Sequence, residues 1–411
     1  MVASKPMSRP RFRTLLAGFS VAAMLWLNLL FFFGYRSGMK RGYTDFSVYY
    51  TAGTILREGL GHQLYDTRVQ LRVQEGFAGR LPFRHGPLPF IHPPFEALIC
   101  LPLSYLSYSN AFLAWDAASV LVLLGVAIIL RRSVDVLRAI PEWLLVLASL
   151  AFFPIFMCLL QGQDSILLLL MCTLAFRAMK RNTDVLAGCW LALGSFKFQF
   201  TLPILLLFLI WNRRRPAFGF AGVALVLALV SAGVAGMNSL VEYPGFALRV
   251  VDQQLLGGVP LSLLPNLHGL AMGWPKPLSG PLGAALGAIS SVALFAFAAI
   301  KGRTPEKTDN VELQFSLAVV VSVLIAWQTN IHDLSLLVLA LVLLADYCLC
   351  RRGLGWRSAL LLPALPLLVG PLWMLLWLWM AQVNLITIPL LWWVWEIARE
   401  LSGRSTTPAF A

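Results

Sequence analysis

Apolar runs of membrane length, one after another, constrain this chain more than any other feature. The longer ones are Thr14–Gly34, Ala111–Leu130, Trp143–Leu160, Phe218–Gly236, Gly280–Ile300 and Leu361–Met380. Ser165–Phe176, Leu313–Trp327, Leu334–Leu349 and Leu385–Ile397 are shorter. About 20 apolar residues carry a helix across the hydrocarbon of a bilayer. Of the 411 residues, 59% are hydrophobic and 12% are charged, so no water-facing shell could enclose them and lipid must solvate much of the chain. The expected class is an all-α polytopic membrane protein of about eleven to thirteen transmembrane helices.

Charge then gives sidedness. Lys5, Arg9, Arg11 and Arg13 precede the first run, which is too long for the core of a cleaved signal. The N-terminal basic segment, residues 1–13, is therefore placed in the cytoplasm, with an uncleaved first helix after it. Arg177, Lys180 and Arg181, Arg213–Arg215, Lys301–Asn310 and Arg351–Arg357 read as cytoplasmic on the same rule. The net charge of +13 is thus loop charge, and no basic patch interleaved with aromatics points to nucleic acid. Arg131, Arg132 and Arg138 fit this alternation poorly, which leaves the crossings between residues 90 and 180 open. Residues 14–400 form the expected transmembrane domain, and 401–411 a cytoplasmic tail, disordered from Ser402. The six cysteines have neither disulfide nor metal-site spacing and read as small core residues.

Residues 35–88 form the expected first outer loop. It opens with Asp45-Phe46-Ser47-Val48-Tyr49-Tyr50-Thr51-Ala52-Gly53. A carboxylate where a membrane helix meets water is a functional candidate. Asp45 and Tyr49 are four apart and share a helix face. The plainer alternative makes Asp45 an N-cap of the helix that starts there. Short surface helices are expected next, with Leu56, Leu60, Leu64 and Leu71 towards the bilayer. Arg57, Arg68, Arg72, Arg80 and Arg84 would meet lipid headgroups or a phosphorylated substrate. Pro93-Pro94 suits the first turn of a second helix.

Val185–Trp211 is apolar but interrupted by Phe196-Lys197-Phe198-Gln199, with basic residues on both sides. Two short helices meeting near Lys197 are expected, because a broken helix is tolerated at membrane depth where it lines a cavity. One long tilted helix with a snorkelling Lys197 is the alternative. Met237–Trp274 and Thr329–Asp333 fall on the outer side with Asp45. That face therefore collects Asp45, Tyr49, His268, His332 and Asp333, with Gln163 and Lys197 as further candidates. His332 suits proton transfer or phosphate pairing, or else sits in headgroups beside a capping Asp333. Gln163 could equally bond neighbouring helices. His268 and Asp116 read as structural.

Asp45-Phe46-x-x-Tyr49-Tyr50-x-Ala52-Gly53, Gly59, Leu64-Tyr65-Asp66, Pro93-Pro94, Gly162-Gln163, Ala187-Gly188 and Phe196-Lys197-x-Gln199 occur in that order. The ordered set resembles glycosyltransferase family 87, bacterial polyprenyl-phosphate-mannose-dependent α-mannosyltransferases of GT-C architecture. The first half of the chain resembles it well, the second half loosely. His92 stands where the family usually has Tyr, and Phe198 where it commonly has Pro. The resemblance implies inverting transfer of a sugar, mannose by family habit, from a polyprenyl-phosphate donor to an acceptor hydroxyl at the outer face of a bacterial plasma membrane. It assigns Asp45 as general base, His332 as a further catalytic group, and Tyr49, His92, Gln163, Lys197 and Asp333 as substrate contacts. The acceptor would be a lipid, a polysaccharide or a protein. No cofactor and no obligatory metal are expected, although Asp45 and Asp333 would make a divalent-cation site if they met in space. A transporter or flippase of lipid-linked sugars is the rival reading. Its weak point is the lack of an inverted repeat with paired broken helices.

Overall fold

The computed structural model describes residues 9–40, 44–78, 88–252, 260–275, 280–303, 310–353 and 358–403. Arg80, Arg84, Lys5 and the tail beyond Gly403 lie outside them. The described residues hold helices and no strand. In chain order the α-helices are α1 (Arg9–Lys40), α2 (Phe46–Arg57), α3 (Thr67–Ala78), α4 (Pro94–Cys100), α5 (Tyr108–Ser133), α6 (Glu142–Ala151), α7 (Phe153–Gln161), α8 (Ser165–Lys180) and α9 (Asp184–Leu193). They continue with α10 (Phe198–Ile210), α11 (Arg215–Asp252), α12 (Leu267–Met272), α13 (Pro281–Lys301), α14 (Val311–Ile325), α15 (Leu337–Asp346), α16 (Gly370–Met374) and α17 (Thr387–Leu401). This is the expected all-α polytopic membrane protein.

Among the described residues, four helical stretches are long and apolar enough to cross a membrane alone: Tyr108–Ser133, Arg215–Leu248, Pro281–Lys301 and Ile331–Arg351. Three bent pairs would raise the number to seven, and Gly18–Gly34 and Val311–Ile325 are shorter apolar helices. The larger count drawn from the sequence treats each apolar run as a crossing. Several runs are instead bent or buried in the protein. Trp143–Leu160 breaks at Phe152, where α6 and α7 meet at 81° ahead of Pro154. The run Leu361–Met380 bends by 69°.

Burial separates the helices into two kinds. α14 lies at the centre, with every residue from Val311 to Leu324 buried. α8, α10, α13, α15 and α17 pack around it. α11 and α13 are peripheral: Phe218, Leu225, Leu229, Ile289 and Val292 are exposed apolar side chains, as lipid-facing helices require.

The segment that follows α1 departs from the expected surface helices. α2 does not lie on a surface. Its residues Phe46–Ile55 are all buried, and α3 and α4 pack against it. Leu64 is also buried inside the protein and does not point to a bilayer. α3 turns a glutamine face inward: Gln70 holds Leu64 O and Phe90 N, and Gln74 holds Leu88 O and Leu88 N. These bonds satisfy the extended backbone before α4, which could not otherwise be buried cheaply. Gly53 lets α2 touch α4, since a Cβ there would collide with the Cys100 carbonyl. Of the loop arginines, Arg57 reaches the Ser104 carbonyl and lies over the Tyr105 ring, and Arg72 pairs with Glu58.

Candidate active site

Asp45 occupies the N-cap position of α2, but its side chain makes no capping hydrogen bond. Oδ2 instead accepts the Gln163 Nε2–H at 2.8 Å. One turn further on, the buried Tyr49 hydroxyl donates to Gln163 Oε1 at 2.9 Å. A single amide thus engages two residues of one helix face, as their four-residue spacing allows. Lys197 Nζ also lies 3.5 Å from Gln163 Oε1. Two donors on that oxygen leave the amide nitrogen facing Asp45. Burial, followed by the nearby Asp164, Glu96 and Asp45 carboxylates, raises the Tyr49 pKa well above its ordinary value, so the phenol stays a neutral donor.

Gly162 delivers Gln163 to this position. It ends α7 in the left-handed region, with φ 65° and ψ 41°. A Cβ there would also come within 2.6 Å of the Phe46 Cβ. Glycine is the residue for both demands.

Lys197 sits where the chain breaks. α9 and the Ser195–Ile210 segment meet at 64°, and Lys197 itself has non-helical angles, φ −117° and ψ 63°. The expected pair of short helices is therefore present. The buried ammonium is held between two carboxylates, 2.7 Å from Asp164 Oδ1 and 2.6 Å from Asp333 Oδ1, and donates to Ser165 Oγ at 2.7 Å. Asp333 serves twice. Its Oδ1 also accepts Ser165 Oγ–H at 2.8 Å, while Oδ2 accepts the Asn330 N–H at 2.8 Å and so caps the turn Ile331–Leu336. His332 is buried with Nε2 3.6 Å from Asp333 Oδ1.

A second group adjoins this network. His92 Nδ1 lies 2.7 Å from Glu96 Oε2 and 3.8 Å from Asp164 Oδ2. Its ring is packed against Tyr49 and Phe90, with centroids at 5.1 and 5.6 Å, and its carbonyl accepts the Tyr65 hydroxyl at 2.8 Å. Pro93 and Pro94 fix the entry into α4 and so set Glu96 in the first turn. Burial pushes the Glu96 carboxyl up to about 8 against the pull of His92. Burial also opposes charge on Asp164, but Lys197 and His92 outweigh it and hold that carboxyl down at about 2. For His92 burial works downward, and the Glu96 carboxylate overcomes it, so the net direction is up.

The structure thus joins Asp45, Tyr49, Gln163, Lys197, Asp333 and His332 through contacts, and His92 enters through Asp164 and the Tyr49 ring. His268 is on α12, beside Gly287 of α13, and Asp116 is on α5, its Oδ1 buried without a hydrogen-bond partner among the described residues. Sequence reasoning missed Asp164, Ser165 and Glu96. The signals were there: Asp164 and Ser165 directly follow Gln163, and Glu96 stands four after His92. His92, Glu96 and Asp164 are the His/carboxylate cluster with metal-ligand proximity among the described residues, their ligand atoms within 4.8 Å of one another. Asp333, which the sequence paired with Asp45 for that purpose, has its oxygens engaged by Lys197, Ser165 and the Asn330 amide.

The sequence model of glycosyltransferase family 87 matches residues 90–327, more than half of the chain. The chain belongs to glycosyltransferase family 87. Searches of curated proteins and of solved structures give no match. The family 87 match takes in His92, Glu96, Gln163, Asp164 and Lys197, while Asp45, His332 and Asp333 lie outside the matched range. Membership makes this chain a membrane glycosyltransferase, with a sugar donor and an acceptor as its substrates.

Proposed function

We propose that this family 87 protein transfers a sugar from a polyprenyl-phosphate donor to an acceptor hydroxyl with inversion, using Asp45 as general base. The observation that supports this most is the use of the Asp45 side chain. A carboxylate at a helix N-cap normally accepts backbone N–H bonds; this one leaves them and is held by a side-chain amide within a buried polar network. An incoming hydroxyl must lose its proton as it attacks the anomeric carbon, and a carboxylate within hydrogen-bond reach takes it. The electron pair of the glycosidic bond departs with the polyprenyl phosphate. In this reading His332 assists that departure or meets the acceptor. Lys197, already balanced by two carboxylates, orders Asp164 and Asp333 more than it faces the phosphate alone.

Mannose as the sugar follows family habit, as do the GT-C architecture, the outer face of a bacterial plasma membrane and the role of residues 35–88 as the first outer loop. Tyr49, Gln163, His92 and Asp333 remain assigned to the substrate side of the site, with the first two also holding Asp45. Family membership favours transfer over the flippase reading.

The test is sugar transfer by the purified protein in detergent, from short-chain polyprenyl-phosphate mannose to a panel of lipid acceptors, with Asp45→Asn beside the wild type. The Asn keeps an oxygen for the Gln163 amide but cannot take a proton. Loss of general-base catalysis costs about 10²–10⁴-fold in rate. Equal turnover in the two proteins would remove Asp45 from the role.

A further inference from the structure

We propose that His92, Glu96 and Asp164 bind one divalent metal cation of the Mn²⁺ or Zn²⁺ class. Three observations carry the site. The first is geometric. The facing ligand atoms stand 2.7 and 3.8 Å apart along His92–Glu96 and His92–Asp164, and all three atoms lie within 4.8 Å of one another. Bonds of ~2.1 Å to a common ion place neighbouring ligand atoms about 3.0–3.5 Å apart. Small side-chain adjustments bring the three to that spacing.

The second is burial. Glu96 and Asp164 are 2% and 1% exposed. Glu96 Oε2, Asp164 Oδ2 and His92 Nδ1 are closed off from solvent and face one another, while Lys197 meets Asp164 Oδ1. One imidazole N–H serves only one of the two carboxylate oxygens that face it, whereas an ion between them serves both. Buried polar atoms are otherwise nearly always satisfied.

The third is charge. Around Lys197 the buried ionisable groups are the carboxylates of Glu96, Asp164 and Asp333 against one ammonium. Ion binding takes the proton that the His92–Glu96 pair otherwise holds and leaves both imidazoles neutral; three negative charges and one positive charge then leave an excess of two. One divalent cation cancels it. Lys197 sits on Asp164 Oδ1, whereas Oδ2 is the oxygen that faces His92. The ammonium and the ion therefore take different oxygens.

One imidazole nitrogen with two carboxylate oxygens suits Mn²⁺ or Zn²⁺ better than Ca²⁺. His92 is held ready by the Tyr49 and Phe90 rings and by the prolines that follow it. Its side chain is 15% exposed, against 3% and 1% for its partners, so the ion's open positions lie on the His92 side. Three protein ligands leave coordination free for a substrate oxygen. A phosphate oxygen is the group of matching chemistry. That consequence rests on the transferase reading; the binding of the ion does not.

The experiment is a metal titration of full-length protein in detergent after EDTA treatment, with MnCl₂ as probe and bound Mn²⁺ followed by electron paramagnetic resonance. The expected result is one saturable ion per chain, with modulation from a single imidazole nitrogen. H92A should lose that modulation, and both H92A and E96Q should bind Mn²⁺ at least about tenfold more weakly. Thermal melting in EDTA shows whether each variant folds, and E96Q, which keeps the shape of the side chain, stands in if H92A does not. No saturable site for Mn²⁺, and none for ZnCl₂ in competition, would overturn the proposal, as would wild-type binding in both variants. A metal-free E96Q at least as stable as the wild type, with no ion bound by either, would show instead a His–Glu pair sharing a proton. Neither donor nor acceptor is needed, so failure here leaves the transferase reading standing, and failed transfer leaves the ion count intact.

Discussion

The same helices carry a charged cluster at each end, and the two clusters are built on opposite plans. α8 runs from Ser165, in the Lys197 network, to Lys180; the span Ile331–Arg351 runs from the neighbourhood of Asp333 to Arg351. Fifteen residues of helix put these ends roughly 22 Å apart. At the far end the buried Glu312 takes two cations, Lys180 at 3.0 Å and Arg351 at 2.6 Å, and Glu400 takes Arg352 at 2.9 Å and the Tyr347 hydroxyl at 2.7 Å. Each carboxylate there has enough positive charge, and the cations are themselves partly exposed. At the Asp45 end a single buried ammonium answers to two carboxylates, and a third lies beside them. A balanced pair fastens helices together. A cluster short of positive charge has unmet capacity to bind a proton, an ion or a substrate.

Variants can break this contrast. Lys197→Met should do the most damage, because it leaves Asp164 and Asp333 buried without their cation. Removing one partner of a buried pair costs ~3–5 kcal/mol, so a lowered melting temperature in detergent should accompany loss of transfer. A K197M protein as stable as the wild type would mean that the carboxylates are already neutral.

Gln163→Leu sharpens the contrast with less disruption. It frees Asp45 and Tyr49 from their shared amide while leaving Lys197 on its two carboxylates. Misplacing a reacting group by ~1 Å can lose about 10²-fold in rate. The loss should fall on kcat with little change in KM, and Gln163→Glu should not restore it, since a second carboxylate would face Asp45. An unchanged kcat in Q163L would show that Asp45 is held by something else.

Glu312→Gln probes the balanced end. It should lower stability by about 1–3 kcal/mol through the loss of charged hydrogen bonds and leave kcat for transfer as it was. A selective loss of turnover, without a shift in melting, would make the two ends functionally coupled and erase the distinction drawn here.

Much of the site was legible as an ordered set of residues. Asp45 and Tyr49 declared a common face by their spacing, and the interruption at Phe196–Gln199 declared a broken helix. Other features were not legible, for physical reasons. The helical periodicity of Phe46–Ile55 and its neighbours says that a face is apolar, but not whether lipid or protein covers it. α2 therefore reads as a surface helix and folds as a buried one. Asp164 and Glu96 were marked only by their neighbours, one directly after Gln163 and the other four after His92, because a cluster assembled from α4 and the α7–α8 turn has no spacing of its own along the chain. Asp333 looked like either a cap or a site residue, and its two oxygens divide the roles.

Composition determined that lipid solvates this chain, and its continuous apolar runs of membrane length determined that the spans are helical, since in hydrocarbon every peptide group needs a partner and such a run supplies one only as a helix. The residue order placed it in a glycosyltransferase family. Which apolar runs face lipid and which carboxylates converge on Lys197 were decided only by tertiary packing. These depend on contacts between residues more than a hundred positions apart, such as Asp45 with Gln163 and Lys197 with Asp333, and no local pattern encodes them.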